Sequence, residues 1–343
     1  MTDFFIKEEE LNNFTTPPIQ MNFNHSMVVS GCEESEMIIL ALWKTKKIQQ
    51  ERKGTYQLIV LSKLLKEYIS KIAEQIGLNQ NFIDYLWSWK STKRSPTFDY
   101  IIILEAHHFL IEDILLLKEK SKKAIFIFGN SVVPFDINNF ATHTSMSEIA
   151  SITAFPIEQL FFYHRLPKKI ARVAQYLNSI NDDLESRCKN EGVELPKILK
   201  YDSINAQLDA IAEIITNRNF EDVAILFRYK KEIEFAYCYL SSKGIVLETN
   251  VEIERRISFG KKYIPPKRMN FGSSNPKLLT YHSVNWLSFE AVFLPQCRTE
   301  EVNLLHNAIT RTSQSLYITH SGDLSPLFEK IPVSLYKTTL TEN

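Results

Sequence analysis

"VVSGCEESEMIILAL", Val28–Leu42, is the stretch on which the fold turns. An apolar strand runs into a turn glycine, Gly31, and then into a helix of good formers, which is the outline of a phosphate-binding loop. A loop of that kind cradles anionic phosphate with backbone N–H groups, flexible glycines and a lysine, in the pattern G-x-x-x-x-G-K-[ST]. Here the turn carries Glu33, Glu34 and Glu36 and no lysine. The stretch has the outline of a nucleotide site and the opposite charge.

Outward from it, apolar runs of strand length recur: Met27–Ser30, Gln57–Leu61, Asp99–Leu104, Ala124–Phe128, Asp222–Phe227, Lys277–Thr280, Ala291–Leu294 and Ser315–Thr319. Several are rich in Val, Ile, Phe and Tyr without polar alternation, as in strands buried on both faces of a parallel sheet. Helix-period segments lie between many of them, at Ser35–Gln50, Leu64–Ile76, Pro167–Ile180 and Ala206–Thr216, and Asn217–Gly244 reads as turn, strand, helix, turn. Alternation of this kind predicts an α/β fold with mainly parallel sheets. Asp136–Phe155 is polar and reads as a join between two such sheets; Asn250–Asn275, ending in "KKYIPPKRMNFGSSN", reads as an exposed loop or insertion.

At 343 residues the chain has room for two domains, and 44% hydrophobic with 23% charged residues describes a soluble globular protein. Lys+Arg equals Asp+Glu, so no global positive field points to nucleic acid, although a local basic patch stays open. Cys32, Cys188, Cys238 and Cys297 are far apart, against a zinc knuckle or disulfide framework and in keeping with a reducing compartment. The start, MTDFFIKEEE, lacks the features of a secretory signal, and no apolar stretch approaches bilayer length, so the expectation is a cytoplasmic protein with no membrane partner.

Further motifs follow in order: "FDYIIILEAHHF" (Phe98–Phe109), "AIFIFGNS", "FYHRLPKKIA", "TYHSVNWLSFEAVFLP" and "EEVNLLHNAITRT". Together with the opening loop they resemble the UvrD-like helicases of superfamily 1, over roughly Gln20 to Gly322. The resemblance implies two RecA-like domains of P-loop NTPase type, expected at 1–140 and 141–335, with helices on both faces of each sheet. It implies that Arg165 and Arg311 hold positions that contact phosphate and that Glu105 stands at the general base. It also implies that Ser62 and Lys63, in "LIVLSKLLKEYI", lie where such proteins touch single-stranded DNA, and that His282 lies in the family's T-x-H.

The departures bear on function. Family order G-x-x-G-x-G-K-T falls on Gly31 to Ile38, and only Gly31 survives: Met37 replaces the phosphate-holding lysine and Ile38 the hydroxyl on Mg²⁺. Leu104 replaces the metal-binding Asp, Asn130 the Asp and Val133 the Gln of G-D-x-x-Q, and Asn285, Trp286 and Ser288 replace the K-G and Glu of the fifth motif. A carboxylate about 5 Å from a phosphate charge, at an effective dielectric near 20, opposes binding by roughly 3 kcal/mol. Neither ATP nor Mg²⁺ is therefore expected as a cofactor. The intervals Ser70–Thr97 and Tyr229–Asn275 are too short for the large accessory inserts of the family, leaving close to a bare pair of motor domains.

Each candidate residue has a plain structural alternative. Glu105 is a vestigial base or a capping carboxylate. Arg165 and Arg311 face a cleft or pair with acids such as the loop glutamates, since Arg matches either anion. Trp87, Trp89 and Trp286, with Lys90, Lys93 and Arg94, stack and clamp a single strand or fill a core beside a basic turn. His282 is a hydrogen-bonding residue rather than a catalyst, and His107 and His108 lack a third ligand, so no metal site is expected. The basic run Lys261–Arg268 could meet phosphate or an acidic protein surface.

The expectation is thus an inactive helicase homologue that binds a protein partner, an enzyme encoded alongside it being one candidate, or single-stranded or duplex DNA. The resemblance suggests a bacterial DNA-repair or phage-defence setting. An ATP-independent single-stranded nucleic-acid binder and a weakly active ATP-dependent helicase are the alternatives.

Overall fold

The computed structural model describes residues 23–31, 34–91, 96–130, 144–177, 183–257, 260–264, 269–284, 286–298 and 301–340, with the backbone alone at 34–35, 254–257 and 260–264. Described residues up to Phe162 form one compact unit and those from Tyr163 onward a second.

The first unit contains strands β1 (Met27–Gly31), β2 (Tyr56–Val60), β3 (Ile83–Tyr85), β4 (Phe98–Ile103), β5 (Ser121–Asn130) and β6 (Ile157–Leu160). They form one sheet in the order β3-β2-β4-β5-β1-β6, every neighbouring pair parallel. Parallel neighbours cannot be joined by a hairpin, so the chain returns through crossovers that include α1 (Glu34–Gln50), α2 (Lys63–Gln75), α3 (Leu86–Ser91), α4 (Ile111–Lys120) and α5 (Met146–Thr153). All residues of β1 and β2 are buried, which accounts for their mainly apolar sequences, Ser30 and Gln57 apart.

Local signals place the helices. Ser62 Oγ accepts the Leu65 N–H at 3.2 Å and opens α2, whose Leu65, Tyr68, Ile69, Ile72 and Ala73 make one buried stripe at helical spacing. Ser145 Oγ accepts the Glu148 N–H at 3.1 Å and opens α5, which buries Met146, Ile149, Ala150 and Thr153. The polar stretch read as a join therefore contributes a core helix, and β6 beyond it pairs with β1 through Val28↔Ile157. The unit boundary falls after Phe162 rather than at residue 140.

In the second unit, β7 (Tyr163–Pro167) and β8 (Cys188–Asn190) form a small parallel pair beside α6 (Lys168–Gln175). A second six-stranded sheet combines β9 (Lys197–Lys200), β10 (Val223–Phe227), β11 (Glu248–Thr249), β14 (Lys277–Thr280), β15 (Phe289–Leu294) and β16 (Thr312–His320), in the order β11-β14-β10-β15-β16-β9 and again all parallel. Its helices are α7 (Ile204–Arg218), α8 (Lys230–Ser242) and α9 (Val302–Thr310). Ser203 caps α7 by accepting the Ala206 N–H at 3.2 Å, and Asn219 ends it at φ 52°, a left-handed position Asn tolerates. Between β11 and β14 the stretch read as a loop holds an antiparallel ribbon, β12 (Ile253–Ile257) with β13 (Gly260–Ile264), a sheet of its own. Both α/β units thus have the parallel, helix-linked architecture that the strand and helix alternation implied.

The start of β14 buries a charge. Lys277 is fully buried; its Nζ donates to Ser273 O at 3.0 Å and Asn275 O at 3.2 Å and lies 3.5 Å from Asp222 Oδ1. Burial pushes the Asp222 carboxyl up to about 7, with Lys277 opposing the rise. Removing the ammonium strands a buried carboxylate and two carbonyls, so Lys277→Met is expected to destabilise the protein by about 3–5 kcal/mol, read as a lower urea midpoint at pH 8 with unchanged m value. A midpoint equal to the unchanged protein would refute that assignment.

Candidate functional site

Because the first sheet is all parallel, the ends of its strands lie along one edge, where α/β folds place their ligands. β1 ends there at Gly31, β2 at Val60, β3 at Tyr85 and β5 at Asn130, while Leu104 and Glu105 follow the end of β4; β5 separates β1 from β4. Two methionines pack against glycines of β1 and β5. A Cβ built on Gly31 would fall 2.4 Å from Met37 Cε, and one on Gly129 would fall 2.3 Å from Met146 Sδ and 3.0 Å from His107 Nδ1. Ser30 and Gly129 are register partners, so the two thioethers lie against adjoining strands. Met37 is 3% exposed, and Ile38 and Glu36 beside it are equally withdrawn. Cys32 and Glu33 fall outside the described residues, as do the side chains of Glu34 and Ser35.

Leu104, where the family resemblance would put a metal-binding Asp, is completely buried. Glu105, 5% exposed, adopts φ 57° and ψ 39°, a left-handed conformation that costs a residue with a Cβ on the order of 1 kcal/mol. It opens a 3-10 turn at Ala106–His108, its carbonyl accepting the His108 N–H at 3.0 Å. His107, also buried, accepts the Asn130 N–H on Nδ1 at 3.1 Å, and its carbonyl accepts the Thr144 N–H at 3.2 Å. That imidazole braces the last residue of β5. Among the described residues no three His, Cys, Asp or Glu side chains converge as a metal-ligand set. Val133 and Asn285 fall outside the described residues.

Further along the same edge, Val60 and Tyr85 are register partners, which brings Ser62 and Lys63 close to the segment Tyr85–Trp89. Trp87 is 72% exposed and stacks on Tyr85 with centroids 6.4 Å apart and rings 17° from parallel. Lys66 lies 5.8 Å from the Tyr85 ring and pairs with Asp84 at 2.9 Å. Ser62 is occupied as a helix cap, and Lys63 is exposed. Trp89 departs from the expectation: it is 2% exposed, in the core with Ile59, Ile101 and Phe109, and has no face for a base. Trp286 is likewise buried, 6.3 Å from Phe271, and Lys90 pairs with Asp113 at 2.5 Å. Lys93 and Arg94 fall outside the described residues. Tyr85 escaped the sequence reading, although its i, i+2 spacing from Trp87 is visible there.

In the second unit the named residues divide between two edges of the sheet. Arg311 immediately precedes β16, so it stands where strands begin; its Nε donates to Asn307 O at 3.1 Å, closing the last turn of its own helix. Asn190 Nδ2 ties the Arg165 carbonyl, at 3.0 Å, to Ser313 O, at 3.5 Å, and the Arg165 charge reaches Asp222 just before β10. Both arginines thus belong to the strand-start edge. Burial there lowers the His306 imidazole to about 4, with the Arg311 and Arg187 charges adding to the effect.

His282 is on the opposite edge, after β14 ends, next to Arg228 after β10. Its Nε2 lies 2.9 Å from Arg228 Nη1, and because a guanidinium only donates, Nε2 is the acceptor and carries no proton. Desolvation, then the Arg228 charge, lowers its pKa. Arg228 also pairs with Glu301 and lies over the exposed Tyr229 ring at 5.0 Å. Arg228 was missed in the sequence, where only its place after an apolar strand marked it.

No protein-family model matches the chain, and no curated protein matches it. Solved structures do. The chain is similar to the C-terminal domain of a possible DNA helicase from Lactobacillus plantarum WCFS1, at 17% identity and a TM-score of 0.39, over 51% of this chain and 98% of that one. It is also similar to arterivirus nonstructural protein 10, a helicase, at 12% identity and a TM-score of 0.46, over 89% of this chain and 62% of that one. The same viral helicase in a complex with DNA gives 12% identity and a TM-score of 0.45 over 89% and 63%. The chain spans about three fifths of the viral protein's length.

The contact between Met37 and Gly31 can be tested by a double-mutant cycle. Gly31→Ala is expected to cost about 1–3 kcal/mol by overpacking, and Met37→Ala about 2–5 kcal/mol by opening a cavity. The double variant should be less destabilised than the two losses added, by at least about 0.5 kcal/mol in chemical denaturation. Strict additivity would mean that the thioether does not rest on Gly31.

Proposed function

We propose that this chain is a degenerate UvrD-like helicase homologue without ATP turnover, serving as a binding or regulatory subunit in a bacterial assembly of the DNA-repair or phage-defence type. The observation that carries the reading is Met37 seated against Gly31, with Met146 against Gly129 on the next strand; a phosphate held after β1 would need backbone N–H groups and open space there. Leu104 in the core and Ile38 at the helix start supply no oxygen for Mg²⁺. Glu105 keeps a place at the sheet edge, but a general base has no role without a polarised phosphate beside it. The partner is a protein, an enzyme encoded alongside being the first candidate, or DNA.

Millimolar ATP with Mg²⁺ should leave the thermal midpoint unchanged, and phosphate release should stay at background both in the unchanged protein and in Glu105→Gln. A ligand present at a hundred times its Kd stabilises by about 2.7 kcal/mol, enough for a shift of several degrees, so such a shift would defeat the proposal.

A second reading, an ATP-independent binder of single-stranded nucleic acid, is favoured by the Tyr85–Trp87 stack beside the exposed Lys63. An exposed ring pair at a sheet edge suits base stacking, which contributes about 1–3 kcal/mol per base. On this reading Trp87→Ala weakens binding of a labelled oligothymidine by about tenfold or more at low salt, while Trp87→Phe keeps most of it. Binding that is absent at low salt, or indifferent to Trp87, removes this reading and leaves the first in place.

A further inference from the structure

A cavity of about 560 Å³ opens on the second unit between the C-terminal end of α7 and the turn that leads into β14. Ile215, Thr216 and Asn219 line it from the helix, Phe220 and Glu221 from the approach to β10, and Gly272 from the turn. None of the residues that the helicase resemblance assigns to phosphate or to DNA lines it.

Both walls are held in place. On the turn side the Glu248 carboxylate accepts the Asn270 N–H at 2.8 Å, Asn275 Nδ2 at 3.1 Å and the Ser273 hydroxyl at 2.5 Å, while the buried Lys277 ammonium holds the Ser273 and Asn275 carbonyls from the core. Gly272 keeps the mouth open, since a Cβ there would meet only Asn270 Oδ1, at 3.4 Å. On the helix side, Ile215 and Phe220 are half-buried and pack on the core while they line the space.

The charge of the cavity is negative. The last carbonyls of α7 lack intrahelical partners and carry the negative end of its dipole. Glu221 is exposed at the rim, and Glu290 Oε2 accepts the Glu221 N–H at 2.8 Å, which sets a second carboxylate behind the first. The cations on these elements are committed elsewhere: Arg218 pairs with Glu194, and Lys277 lies in the core beside Asp222.

We propose that this cavity receives an arginine side chain of a protein partner. A guanidinium donates from a planar fork, which suits a carboxylate and helix-end carbonyls at once, and its flat face rests on an aromatic ring, here Phe220, with its aliphatic stem along Ile215. An ammonium brings the charge without the plane, and a phosphate would meet carboxylates and carbonyls, all of its own sign. The inference rests on the reading of the chain as a protein-binding subunit; stabilisation by ATP would defeat that reading, whereas failure of the test below defeats this site alone.

The test is titration of the isotopically labelled full chain with Ac-Ala-Arg-Ala-amide, followed in amide correlation spectra, beside the lysine and norleucine counterparts of the peptide. The arginine peptide should shift the Asn219, Glu221 and Gly272 amides saturably, with a Kd on the order of 1 mM. The lysine peptide should bind at least about threefold more weakly and the norleucine peptide should leave these amides unmoved. Glu221→Gln should weaken the arginine peptide about threefold, as expected for one exposed ion pair. Thr216→Trp, at an exposed helix position on the cavity wall, should abolish binding by filling the space; amide positions remote from the cavity check that each variant folds. No saturable shift at these amides, equal binding of the lysine or norleucine peptide, or arginine binding indifferent to both substitutions would each overturn the proposal.

Discussion

The constraint on which everything else depends is that both large sheets are wholly parallel. Parallel strands need crossovers, crossovers supply the helices that cover the faces, and the faces then hold mainly apolar side chains, with the few buried polar ones such as Thr319 hydrogen-bonded, here to Gln207. Polar chemistry is driven to the two rims where strands begin and end. That is why Gly31, Glu105, Ser62, Lys63 and Trp87, scattered over more than fifty residues of sequence, share one rim of the first unit, and why Arg311 and His282 part to opposite rims of the second.

At the first unit's rim, what occupies the space over β1 matters more than which residues are missing. Replacing a lysine by methionine removes a charge but need not close a cradle. Here the thioether of Met37 lies against Gly31, and Met146, reaching in from α5, does the same at Gly129 on the next strand. Gly31, read from the sequence as the one glycine left of a phosphate loop, and Gly129, read as the Gly of G-D-x-x-Q, are both floors for sulfur, a soft and adaptable filler. The buried His107 then holds Asn130, the last residue of β5, through a ring nitrogen that accepts its N–H.

The long buried strands were legible because burial on both faces leaves one signature, an unbroken run such as Ile101–Leu104 or Val223–Phe227. Strands with half-exposed faces left none: β6 reads IEQL, β3 and β11 hold only three and two residues, and α5 was lost to its serines and threonines. Within the candidate site the limit was directional. Trp87 and Trp89 lie two apart in a six-residue helix, too short for periodicity to say which ring is covered, and packing chose Trp89. Arg311 shows the same limit in another form, since its hydrogen bond to Asn307 O is local helix closure that a family pattern does not display.

Net charge is the remaining point on which composition and structure diverge. Equal numbers of acids and bases argue against a protein-wide field, and that inference is sound for distances beyond the Debye length, about 8 Å at physiological salt. Within that distance only neighbours count. Composition reports none of that pairing: among the described residues Asp113 is held by Lys90, Asp84 by Lys66, Asp209 by Lys243 and Glu194 by Lys197 and Arg218, so at these places the two signs cancel over a few ångströms.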